Sequence, residues 1–264
     1  WSSYKLNNMI FISDVHYQLD HLNSLPKNKG PIVILGDLIN WIDYRNGDGI
    51  AKDVFGEESV TKLVELRKKH DFTRRKELWN ELFSKDREVK QTKIEESIYR
   101  QYREVFDKIK NFEVFLIPGN VDSLKILEET KTNNVTNIDG EILDYKGFKI
   151  GFAGGGVPTP INARGEIPEE EFKSKLENLG DIDIICSHAP PYVDELITDV
   201  ITNKKEQGWK SLKKFIQDKE PKFSIFGDVH QPKAYEWKIG LTKCINVGYF
   251  RSSSNYLDIE TLSI

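Results

Sequence analysis

The chain has 264 residues, 38% hydrophobic and 30% charged, with 11% aromatic residues and a net charge of −4. That is enough chain for a sizeable core, and the aromatic content sets it apart from disordered sequences. The weak negative charge gives no general pull toward nucleic acid, no apolar run approaches a membrane span, and no N-terminal stretch has the order of a signal peptide.

Met9 is the only methionine and stands directly before the first apolar run. Residues 1–8 therefore read as a leader or remnant, and residues 9–264 as a single domain. Strand-like apolar runs lie at 10–13, 32–35, 112–117, 142–145, 148–153, 182–187, 223–226, 243–247 and 256–259. Several are continuously apolar, as strands covered on both faces are. Helical spacing appears at 169–179 and 209–217, so the fold class is α/β. Residues 50–110 differ: they hold 16 Lys/Arg, 13 Asp/Glu and almost no strand signal. They read as a helical insertion, with helices at 58–70, 73–84 and 88–110 and Ser59 and Thr73 as candidate caps. Cys186 and Cys244 fall in separate strand runs, so reduced, buried thiols and a cytoplasmic location are expected.

The chemistry lies at the strand ends. The first run ends in Asp14-Val15-His16, the second in Gly36-Asp37, and the third in Gly119-Asn120-Val121-Asp122 after Pro118. His188 comes directly after the run at 182–187, and Gly227-Asp228-Val229-His230 after that at 223–226. Ligands bind beyond the carboxyl ends of strands in α/β sheets, so the five endings can converge. Side chains two apart on extended backbone point the same way, which would aim Asp14 with His16 and Asp228 with His230. Three aspartates, three histidines and an asparagine exceed what one metal needs and suit two divalent cations.

The order D-x-H, G-D, G-N-x-D, H and G-x-x-H resembles the calcineurin-like metallophosphoesterase superfamily. The stretches "SHAPP", "GWKSLKKFI" and "INVGYFRSSSNYLDIE" are similar to those of its small bacterial and archaeal members. The resemblance implies a four-layer α-β-β-α sandwich of two mixed sheets, with a di-metal site between the strand ends. It implies Asp14, His16 and His230 as ligands of one metal, Asn120, His188 and Asp228 as ligands of the second, and Asp37 as the bridge. It also implies hydrolysis of phosphate mono- or diesters, with a phosphate-ester small molecule or a nucleotide as substrate. Asp37, Asn120 and Asp122 carry the catalytic roles in that reading. The alternatives are a metal-bearing protein-interaction scaffold and, against the weak charge, a nuclease. The sequence leaves a homo-oligomer open.

Two positions depart from the family's pattern. Asp228 stands where a histidine is usual, which tilts metal preference toward Mn or Fe, with Mg, Zn or Ni as further candidates. It should also weaken phosphate binding and raise the pKa of bound water. Val121 stands where many members have a proton-donating histidine, and a general acid contributes about 10²–10⁴-fold. Without it, activated esters should turn over better than poor leaving groups. His21 is a candidate substitute, or a packing histidine. Arg164 and Arg251 could pair with phosphate bidentately, or be solvated. The loop 151–166 is a turn or a substrate loop. The basic stretch 67–76 is a lid for an anionic substrate or a solvated helix face. Trp41 borders the cleft or packs in the core.

Overall fold

Short apolar strands suit a sheet covered on both faces, and the first three strands are of that kind: β1 (Ile10–Ile12), β2 (Ile32–Ile34) and β3 (Val114–Leu116). The computed structural model describes residues 8–27, 30–160, 162–201 and 203–262. Apart from Asn8, the expected leader at 1–8 lies outside the described residues. β1, β2 and β3 pair in parallel, β4 (Val135–Asn137) extends the row, and β13 (Leu257–Asp258) closes its other edge antiparallel to β1.

The second sheet holds β5 (Ile142–Tyr145), β6 (Phe148–Ala153), β7 (Ile184–Ser187), β10 (Phe223–Phe226), β11 (Glu236–Ile239) and β12 (Thr242–Asn246). Its spatial order is β11-β12-β10-β7-β6-β5, with antiparallel edges and a parallel centre. A two-stranded hairpin, β8 (Thr198–Asp199) with β9 (Lys204–Lys205), stands apart.

Side-chain alternation sets the layers. On β1, Phe11 joins Val33, Phe152 and Ile225 between the two sheets, whereas Ile10 and Ile12 point outward. That outer face is covered by α1 (Leu19–Asn23), α5 (Arg87–Lys108) and α6 (Leu124–Thr130). The outer face of the second sheet is covered by α7 (Glu169–Leu179), α8 (Asp194–Ile197) and α9 (Lys210–Lys219). The order is helices, sheet, sheet, helices, the four-layer sandwich that the resemblance implied. Among the described residues no helix is long and apolar enough to cross a membrane.

The region 50–110 divides in two. α5 buries Ile94, Ile98, Tyr102, Val105 and Phe106 against the first sheet and so belongs to the helical layer. α2 (Ile50–Phe55), α3 (Glu57–Lys68) and α4 (Phe72–Ser84) carry a smaller cluster of Ala51, Val60 and Val64 with Trp41 and Trp79. Helix starts differ from the expected caps. Gly56, at φ 83°, precedes α3, and Asp71 caps α4 by accepting from the Arg74 N–H at 3.0 Å. Ser59 and Thr73 lie inside their helices, because Gly56 and the Asp71 carboxylate already terminate the backbone ahead of them. Cys186 and Cys244 are free and buried. They sit on β7 and β12 with β10 between, about 10 Å apart by strand spacing, beyond disulfide reach.

At the start of α9, Trp209 is fully buried and stacks on Phe172 of α7, with ring centroids 4.0 Å apart and planes at 2°. This pair ties the two helices that cover the second sheet. Trp209→Ala is predicted to lower unfolding free energy by about 4 kcal/mol, the range for deleting a large buried aromatic. Urea denaturation measures it; a loss below about 1 kcal/mol would contradict this account of the layer.

Candidate functional site

The parallel strands of the two sheets end at one place, and their backbone turns abruptly there. Asp14, His16, Asp37 and Asp228 all have positive φ, at 59°, 41°, 57° and 66°. Such conformations are uncommon for non-glycine residues and concentrate at functional sites. Asp14 and His16 therefore do not converge through extended-strand alternation, as the sequence suggested. They share a focus because left-handed backbone folds the chain back at the strand end. Asp228 obeys the same rule.

Glycine makes the close approach feasible. A Cβ on Gly119 would lie 2.2 Å from Asp37 Oδ1, and one on Gly227 would lie 1.9 Å from Ser13 Oγ. Within the second sheet the Gly227 N–H donates to the His188 carbonyl at 2.8 Å, and across the two sheets the Asp228 N–H donates to the side-chain Asp14 Oδ2 at 3.0 Å.

Two histidines are oriented from behind. His188 Nδ1 contacts the Leu35 carbonyl at 2.6 Å, and His16 Nδ1 contacts the Ile39 carbonyl at 3.2 Å. Both present Nε2 to the focus, the arrangement by which a metal-binding histidine is held. Asp37 lies between them, with Oδ2 3.5 Å from His16 Nε2 and Oδ1 3.5 Å from His188 Nε2. Asp14 Oδ1 is 3.4 Å from His230 Nε2, and Asp228 Oδ1 is 3.6 Å from His188 Nε2. Two groups, Asp14–His16–His230 and Asp14–Asp37–His188, have ligand atoms close enough together to hold a metal ion, and they share Asp14.

Three atoms at this focus are buried and without a hydrogen-bond partner, Asp14 Oδ1, His16 Nε2 and His188 Nε2, and so is Asn120 Oδ1 on the turn after β3. Each such atom costs about 1–3 kcal/mol if left unsatisfied. All are oxygen or imidazole donors, the set that suits Mn, Fe, Zn or Mg. The residues present thus fit a metal site.

The electrostatics follow from crowding. Burial alone lowers the His188 pKa, but the carboxylates of Asp37, Asp228 and Asp14 outweigh it and raise it to about 9. Burial and the neighbouring His230 drive His16 down to about 3. Burial lifts Asp228 to about 6, and lifts Asp37 well above the ordinary carboxylate range with Asp122 and Asp14 adding to it. Asp14 moves the other way: burial opposes ionisation, yet its contact with His230 and the charges of His188 and His16 hold it low.

Asp122 is fully buried. Its carboxylate accepts from the backbone N–H of Asp37 (2.8 Å), Leu38 (3.1 Å) and Gly119 (2.8 Å), and from the Tyr102 hydroxyl (3.0 Å). It joins the ends of β2 and β3 and so positions Asp37 and Asn120. The Val121 N–H donates to Asp37 Oδ1 at 3.0 Å, fixing the carboxylate from the other side. The loop 154–166 packs over Asn120: the Gly165 N–H donates to its carbonyl at 2.9 Å, and a Cβ on Gly156 would meet Asn120 Cβ at 2.2 Å.

The other predicted residues divide. Arg251 donates from Nη1 to the His16 carbonyl at 2.9 Å and pairs with Asp43 at 3.2 Å. It lines a cleft of about 420 Å³ with His16, Lys52 and Arg100. His21 instead contacts the Phe250 carbonyl at 3.1 Å and packs edge-on against that ring. Arg164 lies in a turn of the 154–166 loop. Trp41 stacks on Trp79, 6.0 Å away, so it joins the helical insertion to the body.

Sequence reasoning missed Tyr249, whose ring stacks on His230 at 3.7 Å and carries Arg45 above it at 4.6 Å. Nothing in "NVGYF" distinguishes it from a core aromatic.

No curated protein matches the sequence of this chain. Among solved structures it is similar to TT1561 of Thermus thermophilus, at 13% identity and a TM-score of 0.55, over 96% of this chain and 98% of that one. At that identity the likeness speaks to the fold alone. A purple acid phosphatase, PPD1 from yellow lupin (Lupinus luteus) seeds, is also similar, at 13% identity and a TM-score of 0.43, over 92% of this chain and 44% of that one. A model of the calcineurin-like phosphoesterase family matches residues 8–232. That match spans most of the sequence and includes every strand end at the focus, and the chain belongs to the calcineurin-like phosphoesterase family.

Proposed function

We propose that the chain hydrolyses phosphate mono- or diesters at a pair of divalent cations. The observation that carries this reading is the set of buried donor atoms without partners, Asp14 Oδ1, His16 Nε2 and His188 Nε2, gathered about Asp37, with Asn120 Oδ1 equally unpartnered on the next strand end. Asp14, His16 and His230 would hold one cation, Asn120, His188 and Asp228 the other, and Asp37 would lie between. Divalent cations bound there supply a Lewis acid for phosphoryl oxygens and lower the pKa of a coordinated water.

The chain's own residues do the rest. The carbonyls of Leu35 and Ile39 hold two imidazoles with Nε2 forward. Asp122 positions Asp37 and the Asn120 turn through backbone N–H groups. Val121 has no proton to give, so the leaving group departs without help at that position, which favours activated esters. The adjoining cleft is lined by Arg251, Lys52 and Arg100 together with Asp48 and Asp53, each cation paired with a carboxylate that an anionic ester would have to displace. Its volume suits a small or nucleotide-like substrate. The Asp228 carboxylate adds a hard oxygen and tilts the pair toward Mn, Fe or Mg. A cytoplasmic setting fits the two free, buried thiols.

Three outcomes test this reading. With Mn²⁺, wild-type chain should cleave bis-p-nitrophenyl phosphate, and Asp37→Ala should slow it by about 10³-fold, the several kcal/mol a metal centre contributes. Unchanged turnover in that variant would remove Asp37 from the site. Metal uptake should release protons at pH 7, because His188 is charged below about 9 and must be neutral to coordinate. Apparent affinity should therefore fall as pH falls; calorimetry in two buffers of different ionisation enthalpy counts the protons, and zero release at pH 7 contradicts the assignment of His188. Finally, Asp228→His should shift the order of Mn²⁺, Mg²⁺ and Zn²⁺ affinities toward Zn²⁺, and an unaltered titration series would dissociate Asp228 from metal choice.

A further inference from the structure

Three cations meet at the corner between α3 and α4. Arg75 is 8% exposed, and its guanidinium lies 5.1 Å from the Phe72 ring centroid. Lys204, on β9, lies 4.9 Å from the same centroid. Arg67 lies over Tyr44 at 4.1 Å. Among the described residues none of the three forms a hydrogen bond or ion pair with a carboxylate through its side chain. The Lys204 pKa is lowered, first by burial and then by Arg67 and Arg75, with Glu206 only partly offsetting them. Holding a largely buried guanidinium beside two like charges is unfavourable without an anion.

This cluster is tied to the candidate metal centre from two sides. The β8–β9 hairpin is hydrogen-bonded to the segment after His230: the Val200 N–H donates to the Gln231 carbonyl at 2.9 Å, and the Lys233 N–H to the Thr198 carbonyl at 2.8 Å. On the other side, Tyr44 precedes Arg45, which lies over Tyr249, the ring stacked on His230. Phe72 is 57% exposed, leaving an apolar ring accessible next to the cations.

We propose that the α3–α4 corner and the β8–β9 hairpin form an anion-binding subsite for a phosphate group of the substrate remote from the scissile one, so that the substrate is a nucleotide-like polyanion. Arg75 and Arg67 supply the planar donors that match phosphate, Lys204 adds a point charge, and Phe72 offers a face to a flat ring. A role for this subsite in holding substrate rests on the phosphoesterase reading; its binding of an anion does not.

The test is calorimetric titration of the full chain with adenosine diphosphate in EDTA, where no metal can hold the ligand. Saturable binding is expected, weakened about tenfold or more in Arg75→Gln and in Lys204→Gln, the loss expected for a charge-assisted contact. If circular dichroism shows Arg75→Gln unfolded, Arg67→Gln and Lys204→Gln carry the decision. No binding by the wild type, or equal affinity in the folded variants, overturns the subsite. Variant-sensitive binding in a chain that cleaves no ester supports the subsite and sinks the phosphoesterase reading alone.

Discussion

Negative charge crowded into a dry edge is the constraint to which the rest of the structure answers. Asp14, Asp37 and Asp228 are brought together where the strand ends of two sheets face each other, and all three are held on left-handed backbone. Alone, such a cluster would protonate or spread apart. Here His16, His188 and His230 stand among the carboxylates at 3.4–3.8 Å, and they share the charge without neutralising every donor. The atoms left over are those a divalent cation would satisfy. The geometry costs stability locally and is tolerated because two apolar sheets and their helices hold both sides of the edge.

The frame behind the focus is as specific as the focus. Asp122 sits at the end of β3 but bonds mainly to backbone N–H groups after β2 and β3, with Tyr102 of α5 as a further donor. A helix that looked like part of a charged insertion thus reaches into the support of the site. Tyr102 also accepts from the Ser123 N–H at 2.8 Å, so α5, β3 and the Asn120 turn are joined as one piece. That coupling explains how a valine can occupy position 121 without loosening the turn. Its backbone N–H, which any residue but proline supplies, holds the Asp37 carboxylate.

The helices that do project, α2 to α4, meet the body through aromatic contacts. Trp41 stacks on Trp79, and Phe55 and Phe83 pack around it. The loop between Trp41 and Gly49 carries Asp43, Tyr44 and Arg45 toward Arg251, Arg67 and Tyr249 respectively. One short loop therefore touches the candidate site, the cleft and the basic corner between α3 and α4.

Local signals in the amino-acid sequence were enough to place the strand ends and the residue types on them. Apolar runs of three to six residues closed by Asp, Asn or His, with glycine directly before Asp37, Asn120 and Asp228, carry their own pattern. Asp14, Asp37, Asn120, His188, Asp228 and His230 were legible for that reason. The helix Glu169–Leu179 was legible too, because its apolar spacing spans three turns. Short elements such as β4, β8, β9, β11 and α2 were not, since a few residues carry too little pattern. Everything that depends on distant partners had to wait for the packed layers. They set the left-handed turns that aim Asp14 and His16, the backbone role of Asp122, and the stacking of Tyr249 on His230. They also divide residues 50–110 between core and projection. Contacts between residues far apart in the chain leave no periodicity to read, because they arise from packing whole layers rather than from neighbouring side chains.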